Sequence, residues 1–436
     1  MSEKIAELIK QEQERQQETL MMIPSENYTY PEVREAVGSV LMHKYSEGQV
    51  GARYYQGNKN IDEIEKYCKE LVFDVFDAPK DEFDVNVQAL SGSPANLAVF
   101  DALLKPGDTI LAMNLPDGGH LSHGWHMGIR KVTHTSKIYN VHFYTVNSKT
   151  QKLDYKEIAK IAKKVKPKII VTGGTSYPRD IPYGRISTIA QEVGAYYLAD
   201  IAHEAGLIAA KALRSPVLYA DVITMTTHKT LRGPRGAIII GRKELMKKIN
   251  SSVFPGLQGG PHNEKIAGIA IALEKTKDID FRNYAFATIK NAQRLADKLS
   301  SYGFDIVTGG TDKHLLVVDL RSKKVNGYFA AHALERVGIV ANMNTIPGET
   351  MPPRYPSGLR LGTPAITVRG VTFREINTIA KVINDVIDHI APLLIDRDPG
   401  IRNSQILKFN KSLKTEFFEE QAEIVSEICK KYPIEF

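Results

Sequence analysis

Apolar positions fall into two regimes along the chain. From about residue 85 to residue 250, short runs of β-branched and aliphatic residues alternate with longer segments of helical spacing. Val85–Ala89, Thr109–Met113, Lys168–Thr172, Tyr196–Asp200 and Val222–Lys229 read as buried strands, each bounded by polar or turn-forming residues. Gly236–Gly241 returns soon after Lys229, close enough for an antiparallel neighbour. Between these runs, Asp154 and Glu157 have the spacing of a capping box, and Pro167 ends the helix they open. This alternation predicts an α/β fold, a mostly parallel sheet sandwiched by helices. Past residue 275 the pattern changes to a long helix near Phe281–Ser300, a strand at Leu315–Leu320, a helix at Gly327–Val337 and another beginning at Thr372 with Glu375 as its box partner. Residues 343–358, rich in Pro and Gly, read as a loop. The expected division is a polar helical arm at 1–20, a large domain at 21–275 and a smaller C-terminal α+β domain at 276–436.

Composition narrows the class. The 436 residues are 43% hydrophobic and 25% charged, ordinary globular values with enough length for two cores. No apolar run reaches the roughly 18 residues of a membrane span, and Met1–Lys4 leads into a charged helix, so a soluble, cytoplasmic protein is expected. Cys68 and Cys429 lack metal-ligand spacing, and no metal site is expected. The net charge of +7 would suit a nucleic-acid-binding protein, but the lysines are scattered in short pairs and read as solvated surface.

Three features carry candidate chemistry. Lys229 closes a predicted strand, where ligands of open α/β sheets sit, and desolvation there would free its amine for Schiff-base formation. Asp200 closes another predicted strand about one βαβ unit earlier, with His203 just beyond. Ser91–Asn96 opens a helix after the Val85–Ala89 strand; Ser93 suits the N-cap, Pro94 the first helical position, and Gly92 permits close backbone approach to a phosphate. A lysine for an aldehyde, a carboxylate for a ring nitrogen and a helix start for a phosphate together match pyridoxal phosphate.

The chain also resembles the serine hydroxymethyltransferase family, fold-type I pyridoxal-phosphate enzymes, over nearly its whole length. The motifs similar to that family's are Thr226–Gly236, Ser25–Tyr28, Gly118–Gly124 and Gly358–Ala365. The resemblance implies a large seven-stranded-type sheet domain with a smaller C-terminal domain. Lys229 would hold the cofactor covalently, Asp200 would pair with its ring nitrogen, His120 would stack on the ring, and His203 would contact its phenolic side. Gly92 and Ser93 would cradle the phosphate, with Tyr45 and Gly260 reaching it from the other subunit of an obligate homodimer, or of a tetramer. Thr175 or Ser176 would serve the phenolic oxygen, and Arg235 would lie at the cofactor. Arg360 would clamp the substrate carboxylate through its planar fork, assisted by Ser25. Glu47 would be the acid–base residue, with Tyr55, His228 and Thr226 beside the chemistry. Tyr54, Leu115, Leu121 and Asn344 would complete the binding of serine, glycine and the pterin.

The implied reaction moves the side-chain carbon of serine to tetrahydrofolate. Two departures from the family pattern stand out. Gly173–Pro178 differs near the phenolic oxygen, and Met343 stands where the family often has lysine, which leaves folate or a modified pterin open. The competing readings are a pterin-independent fold-type I enzyme, such as a threonine aldolase or an aminotransferase, and a basic nucleic-acid-binding protein.

Overall fold

The computed structural model describes residues 2–436. Packing divides them into two units, one running Tyr28–Phe286 and the other combining Ala287–Phe436 with the stretch that ends at Asn27. No helix among the described residues is long and apolar enough to cross a membrane.

The first unit is built on seven strands: β1 (Phe83–Asn86), β2 (Thr109–Met113), β3 (Asn140–Tyr144), β4 (Ile169–Thr172), β5 (Tyr196–Asp200), β6 (Val222–Thr226) and β7 (Ala237–Arg242). They lie in the order β1-β7-β6-β5-β4-β2-β3. Neighbours from β6 across to β3 are parallel, while β7 runs antiparallel to both β6 and β1. The central strands are buried along their length, which explains their continuous apolar runs. One face packs Ile110, Val171, Leu198 and Ile239 against Val99 and Phe100 of the Gly92–Leu103 helix.

Side chains move several boundaries from their expected places. β1 stops at Asn86 and not at Ala89, because the Asn86 Oδ1 accepts the Gln88 N–H (2.9 Å) that would have continued the ladder. β6 stops at Thr226, and Lys229 enters a turn in which its carbonyl accepts from the Arg232 N–H (3.2 Å). The Gly92 helix is capped by Ser91, two residues before the predicted cap, so Ser93 and Pro94 both lie in its first turn. Proline is tolerated there because first-turn N–H groups have no intrahelical acceptor. Asp154 caps its helix as expected, but Glu157 pairs with Lys160 (2.9 Å) and the reciprocal half of the box is absent. At Thr372 and Glu375 both halves form.

The second unit carries a four-stranded sheet, one strand or more beyond expectation. Its strands are β8 (Asp305–Ile306), β9 (Leu315–Asp319), β10 (Asn342–Asn344) and β11 (Gly358–Gly362), antiparallel in the order β8-β9-β11-β10. β10 takes the first residues of the predicted 343–358 loop. Phe329, Ile383 and Phe418, from the helices Gly327–Arg336, Phe373–Ile390 and Glu416–Lys431, close the core.

The first residues of the chain belong to this unit by packing, where a separate arm at 1–20 was expected. Leu20–Met21 pairs in parallel with Ile339–Val340, and Leu20 and Met22 enter its core. The preceding helix, Glu3–Glu18, buries no residue. Arg369 staples its end in place: the guanidinium is buried and donates to the carbonyls of Gln16 (3.2 Å), Gln17 (3.0 Å), Thr19 (3.0 Å), Cys429 (2.9 Å) and Tyr432 (2.7 Å). Replacing Arg369→Met strands these acceptors in a dry environment and should lower the unfolding free energy by about 3 kcal/mol. Urea titration followed by circular dichroism measures this, and an unchanged midpoint would refute the staple.

Candidate active site

Two neighbouring strand tips define the centre of the first unit. Asp200 is the last residue of β5 and lies in register with Thr224 of β6. Lys229 follows the end of β6, and Asp200, His203 and Lys229 are 7%, 3% and 9% exposed. Hydroxyl groups tie the two tips together. Thr226 Oγ1 donates to the Ala202 carbonyl (3.0 Å), and Thr230 Oγ1 donates to that of His203 (2.9 Å).

The Asp200 carboxylate is surrounded by donors. Oδ2 accepts from Asn96 Nδ2 (2.8 Å) and His123 Nε2 (2.9 Å), and Oδ1 accepts from the Ala202 N–H (3.0 Å). Burial alone would push this group upward. The hydrogen bond and positive pull of His123, with smaller contributions from His120 and Asn96, outweigh it and hold the carboxyl well below the usual carboxylate range. An ionised carboxylate offers about four acceptor sites. Three are filled, and the one left on Oδ1 suits a cationic N–H. His120, His123 and Asp200 place ligand atoms within 4.8 Å of one another. These atoms are already engaged, His123 with Asp200 and His120 Nδ1 with Ser122 Oγ (2.8 Å).

Glycines let the backbone close around this point. A Cβ on Gly173 would collide with the Asp200 carbonyl. The loop beyond it is pinned by the Gly118 carbonyl, which accepts from the N–H groups of Thr175 (2.7 Å) and Ser176 (3.3 Å). Ser176 is buried and Thr175 half-buried. A Cβ on Gly92 would sit 2.6 Å from Thr226 Cγ2, so the helix start lies against the strand that leads to Lys229. Ser91 makes no side-chain cap, and the Gly92 and Ser93 N–H groups have no acceptor within the helix. Such a cradle, a buried anion and a buried lysine fit pyridoxal phosphate. His228, next to Lys229, is pushed down to about 3 by burial and then by the Lys229, Arg235 and Lys265 charges, so its imidazole is neutral near pH 7; its Nδ1 has no hydrogen-bond partner. Arg235 itself is exposed.

A second group gathers Tyr45, Glu47, Tyr55 and Gly260. The Tyr45 and Tyr55 rings lie 5.5 Å apart, and a Cβ on Gly260 would stand 3.4 Å from the Tyr45 ring. One on Gly259 would stand 3.5 Å from Glu47 Oε1. Tyr45, Tyr54 and Tyr55 are all exposed, and Tyr54 packs edge-on against Phe254 at 5.7 Å. The backbone on either side of Glu47 is braced by buried Arg53, which donates to the carbonyls of Ser46 (2.8 Å) and Gly48 (2.6 Å) while bonding Asp62 (2.7 Å) and Glu65 (2.6 Å).

The third group lies in the C-terminal unit. Arg360 sits mid-strand in β11, 6% exposed, and its Nε donates to Asn342 Oδ1 (3.0 Å). Burial pushes it down to about 10, partly offset by Glu26, so it stays cationic at neutral pH. Gly362 donates its N–H to the Met22 carbonyl (2.7 Å), and a Cβ there would strike Pro24; this close packing sets the Ser25 segment beside the strand of Arg360. Asn344 is half-buried in β10, and its Nδ2 donates to the Thr345 carbonyl (2.6 Å). Of the remaining candidates, Leu115 is half-buried at the start of the Leu115–Asp117 turn, and Leu121 is exposed at the start of the Leu121–His123 turn.

Sequence reasoning assigned no role to Asn96, His123, Asn342 or Arg53, all of which touch or brace candidate residues. His123 and Asn96 each lay inside a segment already singled out, Gly118–Gly124 and Ser91–Asn96, and their polar side chains were the visible signal.

A mostly parallel α/β sheet with a lysine and a carboxylate at adjacent strand ends defines a pyridoxal-phosphate enzyme of fold type I. The family model described as serine hydroxymethyltransferase matches residues 1–383. The chain is 45% identical over 429 residues to a serine hydroxymethyltransferase of Methanosarcina barkeri, covering 98% of this chain and 97% of that one. It is 47% identical over 387 residues to that of Acidothermus cellulolyticus, covering 89% and 88%, and 47% identical over 386 residues to that of Sorangium cellulosum, covering 88% and 89%. The chain belongs to the serine hydroxymethyltransferase family.

Because the folded pKa of Asp200 is depressed, its stabilising contribution is complete above the unfolded value of about 3.9 and is lost as pH falls below it. The cofactor-free Asp200→Asn variant should therefore lose less stability between pH 5 and pH 3 than the parent. Parallel acid slopes in urea titrations would show that the carboxylate is not held ionised.

Proposed function

We infer that the protein transfers the hydroxymethyl carbon of serine reversibly to tetrahydrofolate, giving glycine and 5,10-methylenetetrahydrofolate, with pyridoxal phosphate as cofactor. The observation that carries this reading, beside the family, is the buried ionised Asp200 with one acceptor position left open. When bound, pyridoxal phosphate supplies an electron sink for the pair released as a bond to the amino acid's α-carbon breaks. Asp200 would keep the ring nitrogen protonated, through a charge-assisted bond worth about 1.5–3 kcal/mol. His120 would pack against the ring. His203, with Thr175 or Ser176, serves the phenolic oxygen. The N–H groups of Gly92 and Ser93 would hold the phosphate, and Lys229 would hold the aldehyde. Thr226 and Arg235 complete the wall, and neutral His228 shields Lys229 without competing for its proton.

Arg360 binds the substrate carboxylate through its fork, with Ser25 assisting. A cation desolvated to this degree gains more from a carboxylate than one in water. Fixing the carboxylate would also orient the α-carbon and so select which of its bonds breaks. Glu47 moves the proton at the serine hydroxyl. Tyr55 and Tyr54 line its approach, and Leu115, Leu121 and Asn344 receive the pterin. Tyr45 and Gly260 serve the partner's site in a homodimer, which gives their exposed patch a use.

Serine cleavage should depend on tetrahydrofolate; equal rates without it would favour an aldolase, and a series of pterins would fix the preferred acceptor. Lys229→Gln should abolish turnover with the fold intact by circular dichroism. Arg360→Lys should raise KM for serine about tenfold or more, and an unchanged KM would remove Arg360 as the clamp.

A further inference from the structure

Asn96 lies in the second turn of the Gly92–Leu103 helix, is 1% exposed, and uses every polar atom of its side chain. Its Oδ1 accepts from Thr224 Oγ1 (2.6 Å). Its Nδ2 donates to Asp200 Oδ2 (2.8 Å) and to Ser122 Oγ (2.9 Å). The direction of each bond is fixed. An ionised carboxylate only accepts, so the amide nitrogen must face Asp200 and the oxygen must face Thr224. Ser122 Oγ, accepting from Asn96, then gives its proton to His120 Nδ1 at 2.8 Å, and the Ser122 N–H points at the same nitrogen (3.2 Å). His120 Nδ1 is thereby an acceptor, and the ring carries its proton on Nε2. Thr224 anchors the chain rigidly, since it pairs in register with Asp200 on the adjacent strand.

We propose that Asn96 is a positioning residue for the cofactor: one amide, oriented by Thr224, sets both the Asp200 carboxylate and, through Ser122, the tautomer and attitude of the His120 ring. The inference rests on the reading that Asp200 and His120 are cofactor contacts. It adds a single register for them. The helix whose first turn offers the phosphate cradle presents, one turn later, the group that aims the ring-nitrogen partner and the ring-stacking histidine. Three contact points of one flat ligand are then fixed by the pitch of one helix. His123 shares the task on Oδ2, donating from Nε2 because an ionised carboxylate only accepts. It does not reach His120 through Ser122, and that link distinguishes Asn96.

The test compares Asn96→Leu, Thr224→Val and Asp200→Asn in three measurements: equilibrium binding of pyridoxal phosphate to the cofactor-free protein, the absorption spectrum of the loaded protein across pH, and kcat and KM for serine. Losing a bond to a charged group is worth about tenfold to a hundredfold in affinity. Asn96→Leu should weaken pyridoxal phosphate binding by that factor, shift the pH dependence of the visible band, and lower kcat while KM for serine stays within about twofold. Thr224→Val keeps the amide but frees it to rotate, and should show the same changes at a smaller, several-fold size; it carries the test if Asn96→Leu gives no cooperative urea transition. A merely structural Asn96 would lower the urea midpoint and leave the spectrum and affinity of the loaded variants at parent values, which overturns the proposal. If Asp200→Asn also leaves spectrum and affinity unchanged, the assignment of Asp200 fails first. If Asp200→Asn changes both and the other two variants change neither, only the role of Asn96 fails.

Discussion

Keeping a carboxylate ionised where water cannot reach it is the constraint around which the first unit is arranged. Desolvating an ion costs several kcal/mol, and Asp200 is 7% exposed. The cost is offset by donors drawn from three directions: the amide of Asn96 on a covering helix, the imidazole of His123 in a short turn, and the N–H of Ala202 in the chain's own next turn. None of these donors reaches its place unless the backbones crowd together. Gly173 permits that crowding, because any side chain there would meet the Asp200 carbonyl. A strand tip that supplied an alanine in place of Gly173, or a leucine in place of Asn96, would leave the charge exposed to rearrangement. The sheet supplies the positions, and the polar shell makes an anion tolerable at one of them.

The C-terminal unit solves the converse problem. Arg360 is a buried cation in a buried strand, bonded to Asn342 at 3.0 Å on the neighbouring strand and favoured by the nearby charge of Glu26. Burial lowers it to about 10, and Glu26 offsets part of that cost. Asp200 lies below its ordinary range and Arg360 below its own, yet the two shifts mean opposite things. The first records donors that outweigh the cost of burial, the second a burial cost on a cation that Glu26 offsets in part. A glycine again permits the approach that builds the site, here Gly362 against Pro24.

Much of this was legible in the chain itself. The strand runs and their order of spacing predicted the α/β class, and Tyr196–Asp200 and Thr109–Met113 fell on their strands without adjustment. The motifs around Lys229, His120 and Arg360 named the residues now found at a strand tip, in a tight turn and in a buried strand. What escaped was polar work done by side chains on other side chains. Asn96 occupies a helix position indistinguishable by periodicity from any polar residue facing solvent, and only the fold shows that it faces Thr224 and Asp200. Asn86 ended a strand early by accepting a backbone N–H, a competition invisible to apolar patterning. The N-terminal stretch read as a separate polar arm because its partners, Ile339–Val340 and Arg369, lie more than three hundred residues away in sequence.

The patch bearing Tyr45 and Glu47 follows from the same physics applied at a surface. Its aromatic rings are exposed, Tyr45 by 59% and Tyr55 by 45%, yet the backbone beneath them is tied by Arg53, Gln88 and Asn263. Arg53 is buried with Glu65, and burial opposes its charge while Glu65 and Asp62 more than restore it. Gln88 adds a bond to the Gly48 carbonyl (3.0 Å) and another to Glu65 (2.8 Å), and Asn263 joins Ser46 (2.5 Å) to the Lys44 carbonyl (2.5 Å). Exposed loops that merely connect elements seldom recruit buried ion pairs, since flexibility costs them nothing. A rigid loop that holds aromatic rings and a carboxylate outward is organised before anything covers it. Such prior organisation lowers the ordering cost of whatever binds the rings and the carboxylate.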